Sequence, residues 1–169
     1  GQTILAASHD KVYLRTIDGD PNLRGVYVEV ETGGRVDNLG EVIAERGNIT
    51  LMGHAINQSG LLQATTTVNK NGSIRLLARD QFNYANVTES NLETENSNWR
   101  NGTGASRGGE VSFGENSRTE VLTEVDSDET TIDDVEQLAS WVEVVAAEIT
   151  MESNSKIVVP GGKVDLTAV

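Results

Sequence analysis

A five-residue phrase recurs along the chain: glycine, any residue, Ile or Val, any residue, then Leu or Phe. It reads Gly47-Asn48-Ile49-Thr50-Leu51, Gly72-Ser73-Ile74-Arg75-Leu76, Gly109-Glu110-Val111-Ser112-Phe113 and Gly162-Lys163-Val164-Asp165-Leu166. In each copy the glycine supplies a turn, and the residues after it alternate polar with apolar, the period of a half-buried strand. A unit this short cannot bury its apolar side alone, so its recurrence points to supersecondary units stacked on one another.

The residues before the phrase repeat as well. A shift of twenty positions lays Val36 on Ile56, Gly40 on Gly60, Val42 on Leu62 and Ala44 on Ala64, after which five extra residues separate the copies. A shift of 115 lays Val36 on Met151, Val42 on Ile157, Ala44 on Val159, Gly47 on Gly162, Ile49 on Val164 and Leu51 on Leu166. A fainter copy sets Ile49, Leu51 and Ile56 on Val142, Val144 and Ile149.

Turn residues and alternation predict strands at about 3–7, 11–15, 25–31, 35–37, 41–44, 48–52, 55–57, 61–64, 73–78, 110–113, 119–122, 141–146, 148–151, 156–159 and 163–167, with no long amphipathic helix. Strands this short suit an antiparallel sandwich or a parallel β-helix, and a repeat of roughly 20 residues carrying two or three strands favours the β-helix. Ile49, Leu51, Ile74, Leu76, Val164 and Leu166 then form inward ladders, while Asn48, Thr50, Ser73, Arg75, Lys163 and Asp165 face water. The fold class expected is all-β, a right-handed parallel β-helix forming one segment over residues 1–169.

Composition agrees with thin stacked layers: 37% of residues are apolar but only 4% are aromatic, so small and β-branched side chains must fill the interior. With no cysteine, neither a disulfide framework nor a cysteine metal site is possible. A net charge of −13 argues against nucleic acid and anionic lipid as partners, since both need basic surface. No apolar run approaches the roughly 18 residues of a membrane helix, which argues against membrane insertion, and the opening residues lack a basic flank and a hydrophobic signal core. The chain reads as an excised piece of a longer protein.

Two polar stretches, about 85–107 and 124–140, interrupt the strand rhythm and read as loops leaving a rigid stack. The first contains Trp99, which with Asn98 and Arg100 is the candidate ligand contact: an aromatic in a polar loop either pins that loop or anchors a partner. The second holds Asp126, Asp128, Asp133 and Asp134, candidate weak calcium ligands whose plainer reading is a solvated acidic loop, and one short helical turn fits Ile132–Leu138. Of five glycosylation triplets, at Asn48, Asn57, Asn71, Asn86 and Asn101, the best candidates for modification are Asn86 and Asn101. His9 and His54 are too far apart for a metal-ligand spacing, and His54 reads as a surface residue. Trp141 reads as packing against a neighbouring coil. No pattern calls for a cofactor, and no nucleophile elbow or phosphate loop is present.

The stretch GNITLMGHAINQSGLLQATTTVNKNGSIRLLARD, the opening GQTILAASHDKVYLR and the ending SKIVVPGGKVDLTAV resemble the filamentous-haemagglutinin-like exoproteins of bacterial two-partner secretion. The resemblance implies a long right-handed β-helix, secreted or held at the bacterial surface and exported by its parent through an outer-membrane secretion pore. It implies work as an adhesin, a haemagglutinin, a haem-acquisition protein or a toxin stalk, with a host-cell or glycan surface ligand as partner. The Asn-Pro-Asn motif of that family's secretion domain is absent, so the segment lies at the edge of that domain or beyond it. Pectate-lyase-like enzymes also use β-helices, but their calcium-binding aspartates sit on successive coils, whereas these four aspartates share one insert. The expectation is a non-enzymatic structural and binding segment, with a polysaccharide-binding or lyase-type β-helix and a passive stalk as the alternatives.

Overall fold

A computed structural model describes residues 1–16, 25–80, 108–126, 128, 130 and 139–168. Among them are fifteen strands and no helix: β1 (Gln2–Ala6), β2 (Val12–Thr16), β3 (Val26–Val30), β4 (Arg35–Asn38), β5 (Glu41–Ala44), β6 (Asn48–Gly53), β7 (Ala55–Gln58), β8 (Leu61–Thr66), β9 (Ser73–Ala78), β10 (Glu110–Phe113), β11 (Arg118–Thr123), β12 (Trp141–Ala146), β13 (Glu148–Met151), β14 (Lys156–Val158) and β15 (Lys163–Ala168). Each predicted strand is present to within two residues. The helical turn expected at Ile132–Leu138 lies outside the described residues.

Three sheets are parallel throughout. One has the order β1-β6-β9-β12-β15, a second β4-β7-β10-β13 and a third β5-β8-β11-β14. From β4 onward the chain therefore passes through second, third and first sheet in that order four times. Each circuit hydrogen-bonds to the one before it. The two long polar stretches enter at corners between sheets, and the strands that flank them stay in register.

The interior is built from columns of paired residues. Ile49, Ile74, Val142 and Val164 form one, and Leu51, Leu76, Val144 and Leu166 the next, both in the first sheet. Val36, Ile56, Val111 and Ile149 line the second sheet, and Val42, Leu62, Thr119 and Ile157 the third. Together with Phe113 and Val121 they make one continuous apolar core. Beside it a buried amide pair closes the corner between second and third sheets: Asn38 Nδ2 donates to Gln58 Oε1 at 2.6 Å, and Gln58 Nε2 donates to the carbonyls of Gly60 and Arg118. Burying two amides is tolerable here because their polar atoms are paired within the stack.

Two sequence alignments need correction. Val36 stacks in the column of Ile149, not Met151, because the corner that precedes β14 has four residues, 152–155, where the corner before β5 has two. The Gly109 copy of the phrase lies in the second sheet, whereas the other three copies are neighbours in the first. Its glycine has φ of +132°, a conformation L residues rarely adopt.

The outward assignment also fails in part, since Asn48, Thr50, Ser73 and Arg75 are buried. Part of the outer side of the first sheet lies under an antiparallel hairpin formed by β2 and β3. Val28 and Val30 of that hairpin make a second apolar cluster with Met52 and Leu77, against which Ile4, Ala6 and Val145 pack. The hairpin also inserts Glu29, whose carboxylate is 2.9 Å from Arg79. Burial pushes the Glu29 carboxyl above its ordinary range, against the opposing pull of Arg79, the Val30 amide and Arg75.

Candidate functional site

The outer side of the second sheet, away from the core, carries two side-chain columns set by the strand registers. Arg35, Ala55, Glu110 and Glu148 form one, and Asp37, Asn57, Ser112 and Thr150 the other. With Ser59, Glu115 and Glu152 from the adjoining corners, part of this face forms an open groove of about 330 Å³. Its lining is polar because alternation sends every apolar residue of these strands to the opposite face.

A chain of bonds fixes the groove side chains. Arg35 grips Asp37 with Nε and a terminal nitrogen at 2.7–2.9 Å, and Asn57 Nδ2 donates to Asp37 Oδ1 at 3.2 Å. Ser59 Oγ and Ser112 Oγ both donate to Asn57 Oδ1, at 2.6 and 3.5 Å. Arg35 and Asn57 together hold the Asp37 carboxyl below its ordinary range. Glu152 accepts from the backbone N–H of Glu115 at 3.0 Å. The hydroxyls here are tied to an amide and not to a base, and no histidine lines the groove, so its chemistry is hydrogen bonding and charge recognition.

Other polar constellations are structural. Trp141 lies on the outer side of the first sheet, with the Arg75 guanidinium and the Lys163 ammonium each 5.8 Å from its ring, and its Nε1 donates to Asp165 at 3.0 Å. Arg75 in turn pairs with Glu143 at 2.6 Å. Trp141 thus packs between coils, as its sequence position suggested, with neighbouring cations as its partners. His54 is the single corner residue between β6 and β7, and its Nδ1 lies 2.5 Å from Asp80 Oδ1 with both side chains about half exposed.

Several sequence-predicted residues lie outside the described residues: Trp99, Asn98 and Arg100, the aspartates Asp133 and Asp134, and the glycosylation candidates Asn86 and Asn101. Asp126 and Asp128 are exposed, and among the described residues no group of three or more His, Cys, Asp or Glu is placed to hold a metal ion. Asn48 and Asn71 are buried, which removes both as glycan acceptors in the folded chain. The groove residues were not singled out in sequence. Outward positions 35, 37, 55 and 57 follow once Val36 is laid on Ile56, but Glu110 and Ser112 join them only across the intervening insert.

No protein-family model, curated protein or solved structure matches this chain.

Proposed function

We propose that the chain is a segment of a right-handed parallel β-helix in a secreted or surface-exposed bacterial exoprotein of the adhesin or haemagglutinin kind. Its role is to carry and space binding surface, not to catalyse. The observation that supports this most is the fourfold passage through three parallel sheets in one cyclic order, with both polar inserts placed at corners. Right-handedness is the expectation for parallel strands of one sheet joined by crossovers, which take that hand in about 98% of cases. A scaffold of this kind admits corner loops of any length without disturbing its registers, and that suits display.

Two surfaces serve as candidates for recognition: the insert around Trp99, and the groove on the second sheet. The groove favours a second reading, a polysaccharide-binding β-helix, because amide, hydroxyl, carboxylate and guanidinium groups are held in place across adjacent coils.

Binding of the chain to a panel of neutral and acidic glycans and to epithelial cells tests both readings. If the insert is the binding element, deleting Asn86 to Ser106 with a short glycine linker abolishes binding and leaves the β-rich circular dichroism spectrum intact, and Trp99→Ala reproduces most of that loss. If the groove binds, Asn57→Ala together with Ser112→Ala weakens binding while the deletion does not. Absence of binding in every assay removes the display reading and leaves a passive stalk. Calcium-dependent cleavage of polygalacturonate, lost when Asp126, Asp128, Asp133 and Asp134 are all changed to Asn, would instead establish a lyase.

A further inference from the structure

The last circuit, β13 to β15, continues the inward columns of the circuits above it. Val164 pairs with Val142, Leu166 with Val144 and Met151 with Phe113. The upper member of each pair is fully buried, yet Met151, Val164 and Leu166 are 45%, 44% and 48% exposed. Ile149, Ile157 and Val159 are only half-buried beside them. An end face meant for water would carry polar groups at these inward positions. Here it carries the residues of an interior layer.

We infer that this face is a stacking surface for one further circuit of polypeptide supplied in cis, giving one parallel strand each to β13, β14 and β15 and alternate Val, Ile or Leu side chains to the columns below Val164 and Leu166. The inference rests on the stacked reading above and names the partner of its open end. Continuity selects the occupant: β13, β14 and β15 are each the last strand of a parallel sheet, so the same register extends to a fourth neighbour of the same kind.

A second copy stacked head to tail does not fit. At the opposite end β1 lies one strand layer beyond β4 and β5, since it pairs with β6 while those two strands end their own sheets. Pairing β15 with a copy's β1 would leave β13 and β14 two strand spacings, about 9.6 Å, from the copy's β4 and β5, where about 4.8 Å is needed. A net charge of −13 on each copy opposes the approach as well.

The test grafts a circuit that already exists in this chain. His54–Ala78 contains one corner residue and three strands, so placing it directly after Ala168 sets its His54 where Ala147 stands above and its strands in phase with β13 to β15. The expected result is a monomer that melts in one transition at a higher temperature than the parent, with backbone amides of β15 exchanging about tenfold more slowly. A control graft with its copies of Ile56, Leu62, Ile74 and Leu76 changed to Asn should give neither effect. Unchanged β15 exchange in the apolar graft overturns the proposal. So does a parent chain that self-associates in sedimentation analysis and is returned to monomer by Leu166→Asp, because a second copy is then the occupant. Ligand binding plays no part in this readout, so a chain that gains β15 protection but binds no glycan or cell keeps the stacking surface and loses only the display role.

Discussion

Ile74 and Arg75 are adjacent on β9, point to opposite sides of their sheet, and are both buried. Alternation alone places Ile74 inside and Arg75 in water, and only the first half of that reading holds. Arg75 is covered on a side that local pattern cannot reveal, because its partners Glu143, Trp141 and Glu29 come from strands 46 to 68 positions away. Ile74→Asp should cost several kcal/mol by burying an unpaired carboxylate. Arg75→Asp should cost about 3 kcal/mol, since it leaves the Glu143 carboxylate beside a like charge. Thr150→Asp, on the exposed side of β13, should stay within about 0.5 kcal/mol. Urea unfolding of the three variants checks the order. A second pair responds to pH: Arg46 grips Glu124 at 2.6 and 2.8 Å and holds its carboxyl below the ordinary glutamate range. That contribution is present above the unfolded-state value and lost as pH falls through the depressed folded value. Melting temperatures of Arg46→Gln and the parent should therefore differ at pH 7 and converge near pH 3.

The strands themselves were legible, because each is short, alternating and bounded by Gly, Asn or Asp. Their assembly was legible only where spacing is regular. The shift of twenty between β4 and β7 is a true register, and so is the shift of 115 between β6 and β15. The same shift fails for β4 against β13 because a corner grew by two residues, a change that leaves no mark on apolar periodicity. The hairpin was hidden for another reason. β2 and β3 look like any other strands, and nothing local says that they pair antiparallel and lie across a sheet whose outer side would otherwise meet water. Val30, fully buried between the hairpin and Met52, tests how firmly that cover is held. Val30→Ala should lower stability by about 2 kcal/mol, and the amides of β2 and β3 should exchange faster while those of β9 and β12 remain protected. Equal acceleration across all four strands would mean that the hairpin and the stack open as one unit.

At the scale of the molecule, stability should grade along the stack. The central strands β6, β9 and β12 have parallel neighbours on both sides and fully buried inward columns, whereas β13, β14 and β15 have neighbours on one side only. Native-state hydrogen exchange should therefore be slowest in the first group and fastest in the last, and a uniform rate would contradict stacking as the main source of stability. The candidate site was the least legible part. Its groove is assembled from outward positions of strands joined across an insert, and alternation marks such positions only as polar. That same insert sets a limit on how quickly the chain can reach its native form. Val36 pairs with Ile56 twenty positions on, but Ile56 pairs with Val111 fifty-five positions on. Closing the longer loop carries an entropic penalty about 0.9 kcal/mol greater, a roughly fivefold slower encounter if that pairing is made in the transition state. The second and third circuits should thus meet late, and shortening the insert should raise the refolding rate by about twofold while leaving the unfolding rate unchanged.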